Sequence, residues 1–116
     1  MHDILVYSAG GLGIVIAIVH GYLGEKLVVG PSEAPTGRAK RVMQAIMFLS
    51  ALYWFAAGAL LLAAPVFLEP SQRTLAILVA AFLFATGSLA NLWATRGGHF
   101  GWVLLALATG MAVGGA

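Results

Sequence analysis

Four polar side chains in an otherwise apolar chain are the first candidates for chemistry: His20, Gln44, Asn91 and His99. An imidazole titrates near neutral pH and can ligate a metal. Side-chain amides both donate and accept hydrogen bonds. Arg41 stands just before Gln44 and Arg96 just before His99. A guanidinium there can attract an anion or a lipid headgroup. Tyr53 and Trp54 are candidates for the wall of a site for a flat apolar ligand. Two separated histidines without an acidic ligand do not build a metal site, so no metal or cofactor is expected. The chain has 0 Cys, which excludes thiol redox chemistry, disulfides and thiolate metal sites. No nucleophile with a base beside it and no pair of buried acids stands out, so an enzyme is not expected.

The elements that position these groups follow from composition. Of 116 residues, 61% are hydrophobic and 9% charged, with a mean hydropathy of +0.98. A soluble domain carries about 25% charged residues, because its surface must be solvated by water. A chain this apolar is solvated by lipid. Its net charge of +2 is too small and scattered for nucleic acid. A helix needs about 20 apolar residues to cross the hydrocarbon, and four segments qualify: 4–23, 42–67, 74–95 and 100–116. The runs are continuous rather than alternating, which argues against a β-barrel. Met1-His2-Asp3 lacks the basic flank of a cleavable leader, so the first helix is expected to be kept.

Connector chemistry sets the topology. The loop 24–41 holds Gly24, Gly30, Pro31, Pro35 and Gly37, which break helices, although 25–29 could extend the first helix by a turn. Thr36 is suited to cap the second helix, Pro70 to open the third, and Pro65 to kink or end the second. The other two links are tight, which forces neighbouring helices to run antiparallel. The expected fold is therefore all-α, a single domain of four transmembrane helices in an antiparallel up-down bundle. Lys26, Arg38, Lys40, Arg41 and Arg96 fall on one side of the membrane and Arg73 alone on the other. By the positive-inside rule the 24–41 loop is cytoplasmic and both termini are periplasmic, in a multi-pass protein of a bacterial inner membrane.

Helices associate in lipid through small residues. Such stripes recur at a spacing of four: Ala9, Gly13 and Ala17; Ala76 and Ala80, with Ala81 and Ala85; Ala106, Gly110 and Gly114. They predict bundle packing or, on one of them, a contact with another copy. Tyr22, Trp93 and Trp102 mark the cytoplasmic interface and Tyr7 the outer one. Tyr53 and Trp54 lie roughly 17 Å into the second helix, where their polar tips need partners. At 100° per residue, His20 shares a face with Ala9, Gly13 and Ala17, and His99 with Ala106 and Gly110. Asn91 aligns with Phe84, Gly87 and Ser88, and Gln44 with Ala51, Phe55 and Gly58. All four therefore point at packing faces and at one depth, near the cytoplasmic end. They predict either interhelical bonding or a small polar site rimmed by Arg41 and Arg96. Glu25 is off the His20 face, and is expected to meet Lys26, Lys40 or headgroups.

In size the chain resembles small multidrug resistance transporters, but their proton coupling uses a carboxylate in the first helix, and 4–23 has none. It resembles dual-topology fluoride channels in size too, without their early Arg or Thr-Phe-Ser-rich third helix. The segment His20-Gly21-Tyr22-Leu23-Gly24-Glu25-Lys26, followed by Arg41, is similar to one in a family of small four-helix bacterial inner-membrane proteins. That resemblance implies no activity, and it implies that His20, Glu25 and Arg41 form one feature. The function expected is a non-enzymatic accessory or scaffold subunit that binds other membrane proteins or itself. The alternatives are a small transporter or channel using the polar layer, and a binder of lipid, quinone or pigment.

Overall fold

The computed structural model describes residues 1–31 and 37–116. Among them the chain is all-helical, with four α-helices: α1 His2–Leu23, α2 Gly37–Phe67, α3 Pro70–Thr95 and α4 Gly101–Gly114. The cap expected at Thr36 lies outside the described residues. Three helices are long and apolar enough to cross a membrane: α1 with the turn that extends it to Val29, α2, and α3. α4 has 14 residues, about 21 Å at the α-helical rise. That is short of the ~30 Å hydrocarbon, so the span expected at 100–116 is trimmed at both ends. At its C-terminal end Gly114 and Gly115 favour the stop, since glycine costs about 1 kcal/mol more than alanine in a helix interior.

α1 does not end at Gly24. The glycine stays in the right-handed helical region, and Gly24–Val29 continues as a π-helical turn. Its register is visible in the Gly30 N–H, which donates to the Glu25 carbonyl five residues back at 2.8 Å. Gly24 is buried beside Met47, and a side chain at that position would collide with the Met47 methyl. α2 begins at Gly37, before the apolar run, because Arg38 to Arg41 can form a helical turn in water. Pro65 sits in the last turn of α2 without stopping it, since only two more residues follow. α3 opens with Pro70 in its first turn, and the Glu69 N–H meets the Gln72 side chain at 3.4 Å. It closes with Arg96 in the left-handed region (φ 50°) and Gly97 (φ 79°), whose N–H reaches the Leu92 carbonyl at 3.0 Å.

The helices close a ring, α1 on α2, α2 on α3, α3 on α4 and α4 back on α1. Gly10 meets Gly58, Gly21 meets Ala51 and Gly24 meets Met47, so α1 and α2 run antiparallel. Gly115 lies against His2 and Val6, so α4 runs antiparallel to α1 as well. α1 and α3 run the same way, with Asp3 paired to Arg73 at one end and Gly13 under the Phe84 ring further along. Small residues set these distances. A methyl on Gly10 would stand 2.8 Å from the Gly58 carbonyl, and one on Gly58 would stand 2.7 Å from that of Gly10. Backbones this close gain the dispersion contact that replaces the hydrophobic effect in lipid. The core is built on Val6, Ala9, Ala17, Trp54, Leu61 and Phe84, among others.

Candidate functional site

Among the described residues, no hydrogen bond joins any two of His20, Gln44, Asn91 and His99. His20 is half-buried at the end of α1, and its Nε2 lies 3.1 Å from Ser50 Oγ on α2. Ser50 Oγ also lies 2.9 Å from the Ile46 carbonyl and 3.0 Å from that of Met47. Carbonyls only accept, so the single hydroxyl hydrogen goes to them and His20 Nε2 donates to Ser50. Such a serine is not primed as a nucleophile, because its proton is directed away from the imidazole. The His20 ring packs on Trp54, with centroids 4.5 Å apart and planes at 58°. The Trp54 indole in turn lies against Gly87 of α3, where a methyl would approach Nε1 to 2.5 Å. One indole thus ties α1, α2 and α3 together.

The other members turn elsewhere. Gln44 is exposed and donates to Glu25 Oε1 at 3.1 Å. Of the partners expected for Glu25, Lys26 and Lys40 bond elsewhere, and the π-helical turn brings its carboxylate to Gln44 of α2. Lys26 instead donates to Tyr22 Oη at 3.3 Å and sits 5.5 Å over that ring. Lys40 donates to the Gly30 carbonyl at 3.3 Å. Asn91 spends its amide on its own helix, donating to the Gly87 carbonyl at 3.0 Å. His99 is exposed, accepts from the Gly101 N–H at 3.1 Å through Nδ1, and stacks on Phe100. Arg41 and Arg96 are exposed, and among the described residues neither meets a carboxylate.

Tyr53 and Trp54 do not form one wall. Adjacent residues on a helix point about 100° apart, and Tyr53 is 54% exposed on the outside while Trp54 is 5% exposed in the core. The face assignments for α4 also change. Leu105, Ala108 and Ala112 are the buried side, whereas Ala106, Gly110 and Gly114 face outward. The 14-residue helix is anchored by Ser88, whose hydroxyl donates to the Trp102 carbonyl at 2.7 Å. The face its small residues suggested is the exposed one.

Two polar ties were missing from the sequence-based site, Ser50 and Ser88. Ser50 carries a signal, since it precedes Trp54 by one turn on the face toward α1. Ser88 shares the Asn91 face, but nothing local names a backbone carbonyl as its partner. Comparison of the chain with protein families, curated proteins and solved structures gives no match.

Proposed function

We propose that the chain is a polytopic inner-membrane protein without catalysis of its own, an accessory or scaffold subunit that docks other membrane proteins or a second copy. In this proposal all four antiparallel helices lie in the bilayer, with the termini periplasmic and the 24–41 loop cytoplasmic. The supporting observation is the contrast between a closed interior and a bare outer face on α4. Inside, Phe84 fills the space over Gly13 and Trp54 fills that over Gly87. A solute path along the bundle axis of one chain would have to displace both rings. Outside, a methyl at Gly110 meets nothing within 4 Å, and Gly11 on the neighbouring α1 is equally open. A helix shorter than the hydrocarbon it spans gains by associating with others, and α4 is the short one.

The chain has 0 Cys, which makes the test clean. Ala106→Cys or Gly110→Cys, oxidised in membranes, is expected to trap a disulfide dimer or, with a bifunctional reagent, a partner membrane protein. Ile18→Cys, at the seam of α1 and α2, is expected to trap neither. Native mass spectrometry in gentle detergent then separates the two forms of association. Failure of both α4 variants to trap anything would remove the proposal.

A further inference from the structure

The seam between α1 and α2 carries a feature on its lipid side that neither bundle packing nor the α4 face uses. Ala17, Ile18, Phe48, Ala51, Leu52 and Phe55 line an apolar groove of about 190 Å³. The groove exists because α1 and α2 are held close at Gly10–Gly58, while Phe48 and Phe55 stand out from the α2 surface on either side of Leu52. Nothing polar lines it. On α2 the groove residues Phe48, Leu52 and Phe55 fall within about 60° of Arg41 at 100° per residue. Arg41 lies two turns nearer the polar end, about 10 Å along the axis. Its guanidinium reaches back toward Gly37, with Nη1 3.8 Å from the position a methyl on that glycine would take. That is the direction in which a long cation leaves hydrocarbon for the headgroup layer.

The α1 side of the groove is matched. Tyr22 stands one turn beyond Ile18, and it holds the Lys26 ammonium through its hydroxyl and ring. Glu25, the acidic side chain of this turn, accepts from the neutral Gln44 amide and keeps its charge, against the cations Lys26, Arg38, Lys40 and Arg41 at this end. Arg41 meets no carboxylate among the described residues. Beyond the polar end of the slot stand two cations, Arg41 on α2 and Lys26 on the turn that extends α1.

We infer that this seam is a binding site for one anionic phospholipid, its acyl chain in the Ile18–Phe48–Phe55 groove and its phosphate between Arg41 and Lys26. The charge decides the occupant. A zwitterionic lipid would bring its own cation to Arg41 and Lys26, whereas a net negative headgroup brings only the complement. The groove and α4 lie on different seams, so the site stands whether or not α4 docks a partner.

The test uses the purified chain in mixed micelles with phosphatidylglycerol or phosphatidylcholine, read by native mass spectrometry. One phosphatidylglycerol per chain is expected to be retained in preference to phosphatidylcholine. Arg41→Gln lowers that retention about fivefold, the effect of one basic residue near an anionic surface. Phe48→Ala, which alters only an exposed wall, lowers it several-fold with the charges intact. Arg96→Gln, a cation at the same end but off the groove, leaves it unchanged. Monodisperse elution of each variant keeps misfolding out of the comparison. Equal retention of the two lipids, no effect of Phe48→Ala, or a loss in Arg96→Gln equal to that in Arg41→Gln would overturn the site.

Discussion

The small-residue stripes of α1 and α4 have the same spacing and opposite fates. Ala9, Gly13 and Ala17 are buried against the bundle, whereas Ala106, Gly110 and Gly114 look outward. The difference does not lie in the stripes themselves. It lies in what else each helix offers. On α1 the Phe84 ring of α3 stands over Gly13, so that stripe faces the interior, while Gly10, Gly21 and Gly24 meet α2. α4 offers a second inner face, Leu105, Ala108 and Ala112, and Ser88 locks that face inward through the Trp102 carbonyl. A stripe of small residues therefore states that close approach is possible, and the nearest strong polar tie decides who approaches.

The comparison breaks most visibly at Gly13. Gly13→Leu drives a branched side chain into the Phe84 ring, and an overpacked core costs about 1–3 kcal/mol or more. The expected result is a large drop in thermal stability in detergent, or no folded protein at all, on a melting curve followed by size exclusion. Loss of the α4 lock is the next largest effect. Ser88→Ala removes an interhelical bond worth roughly 0.6–1.7 kcal/mol in a membrane bundle. It should also free α4 to rotate, seen as altered reactivity of a cysteine placed at Gly110. Asp3→Asn severs the pair with Arg73, which is partly exposed on both sides. Exposed pairs contribute about 0.2–1 kcal/mol and are screened by salt, so the deficit should shrink as ionic strength rises. Gly110→Leu is the smallest for the fold. It should leave the melting temperature of the single chain within about 0.5 kcal/mol of stability, while abolishing any trapping at α4. A stability loss as large as that of Gly13→Leu would erase the distinction between the two stripes.

Much of the fold was legible because membrane sequences are constrained by length and polarity. Long apolar runs and tight links were enough for all-helical architecture and for the three helices long enough to cross a membrane. Helix ends were less legible. Gly24 reads as a breaker in sequence, yet Met47 packs on it and the helix continues as a π-helical turn. α4 was drawn too long because hydropathy does not record where glycine frays a helix.

The pairing within the site was not legible. His20 and Gln44 do meet other helices, but their partners are Ser50 and Glu25. A wheel gives the direction of a side chain from its own axis. It says nothing of the rotation of the neighbour, and the π-helical turn resets the wheel beyond Gly24. Asn91 shows the remaining ambiguity, because its amide found a carbonyl one turn back on its own helix and needed no neighbour. The same holds for Tyr53 and Trp54, one step apart in sequence and separated by the whole wall of the bundle.

The contact of Gly115 with His2 and Val6 joins the two ends of the ring. Its consequence is one of time. α1 is made before α4, the helix that completes its surroundings, by roughly 100 residues. At a ribosomal pace of about 5–20 residues per second, the Val6 face waits on the order of 5–20 s for its final neighbour. The neighbour made in that interval that comes into backbone contact with α1 in the finished fold, at Gly10, is α2.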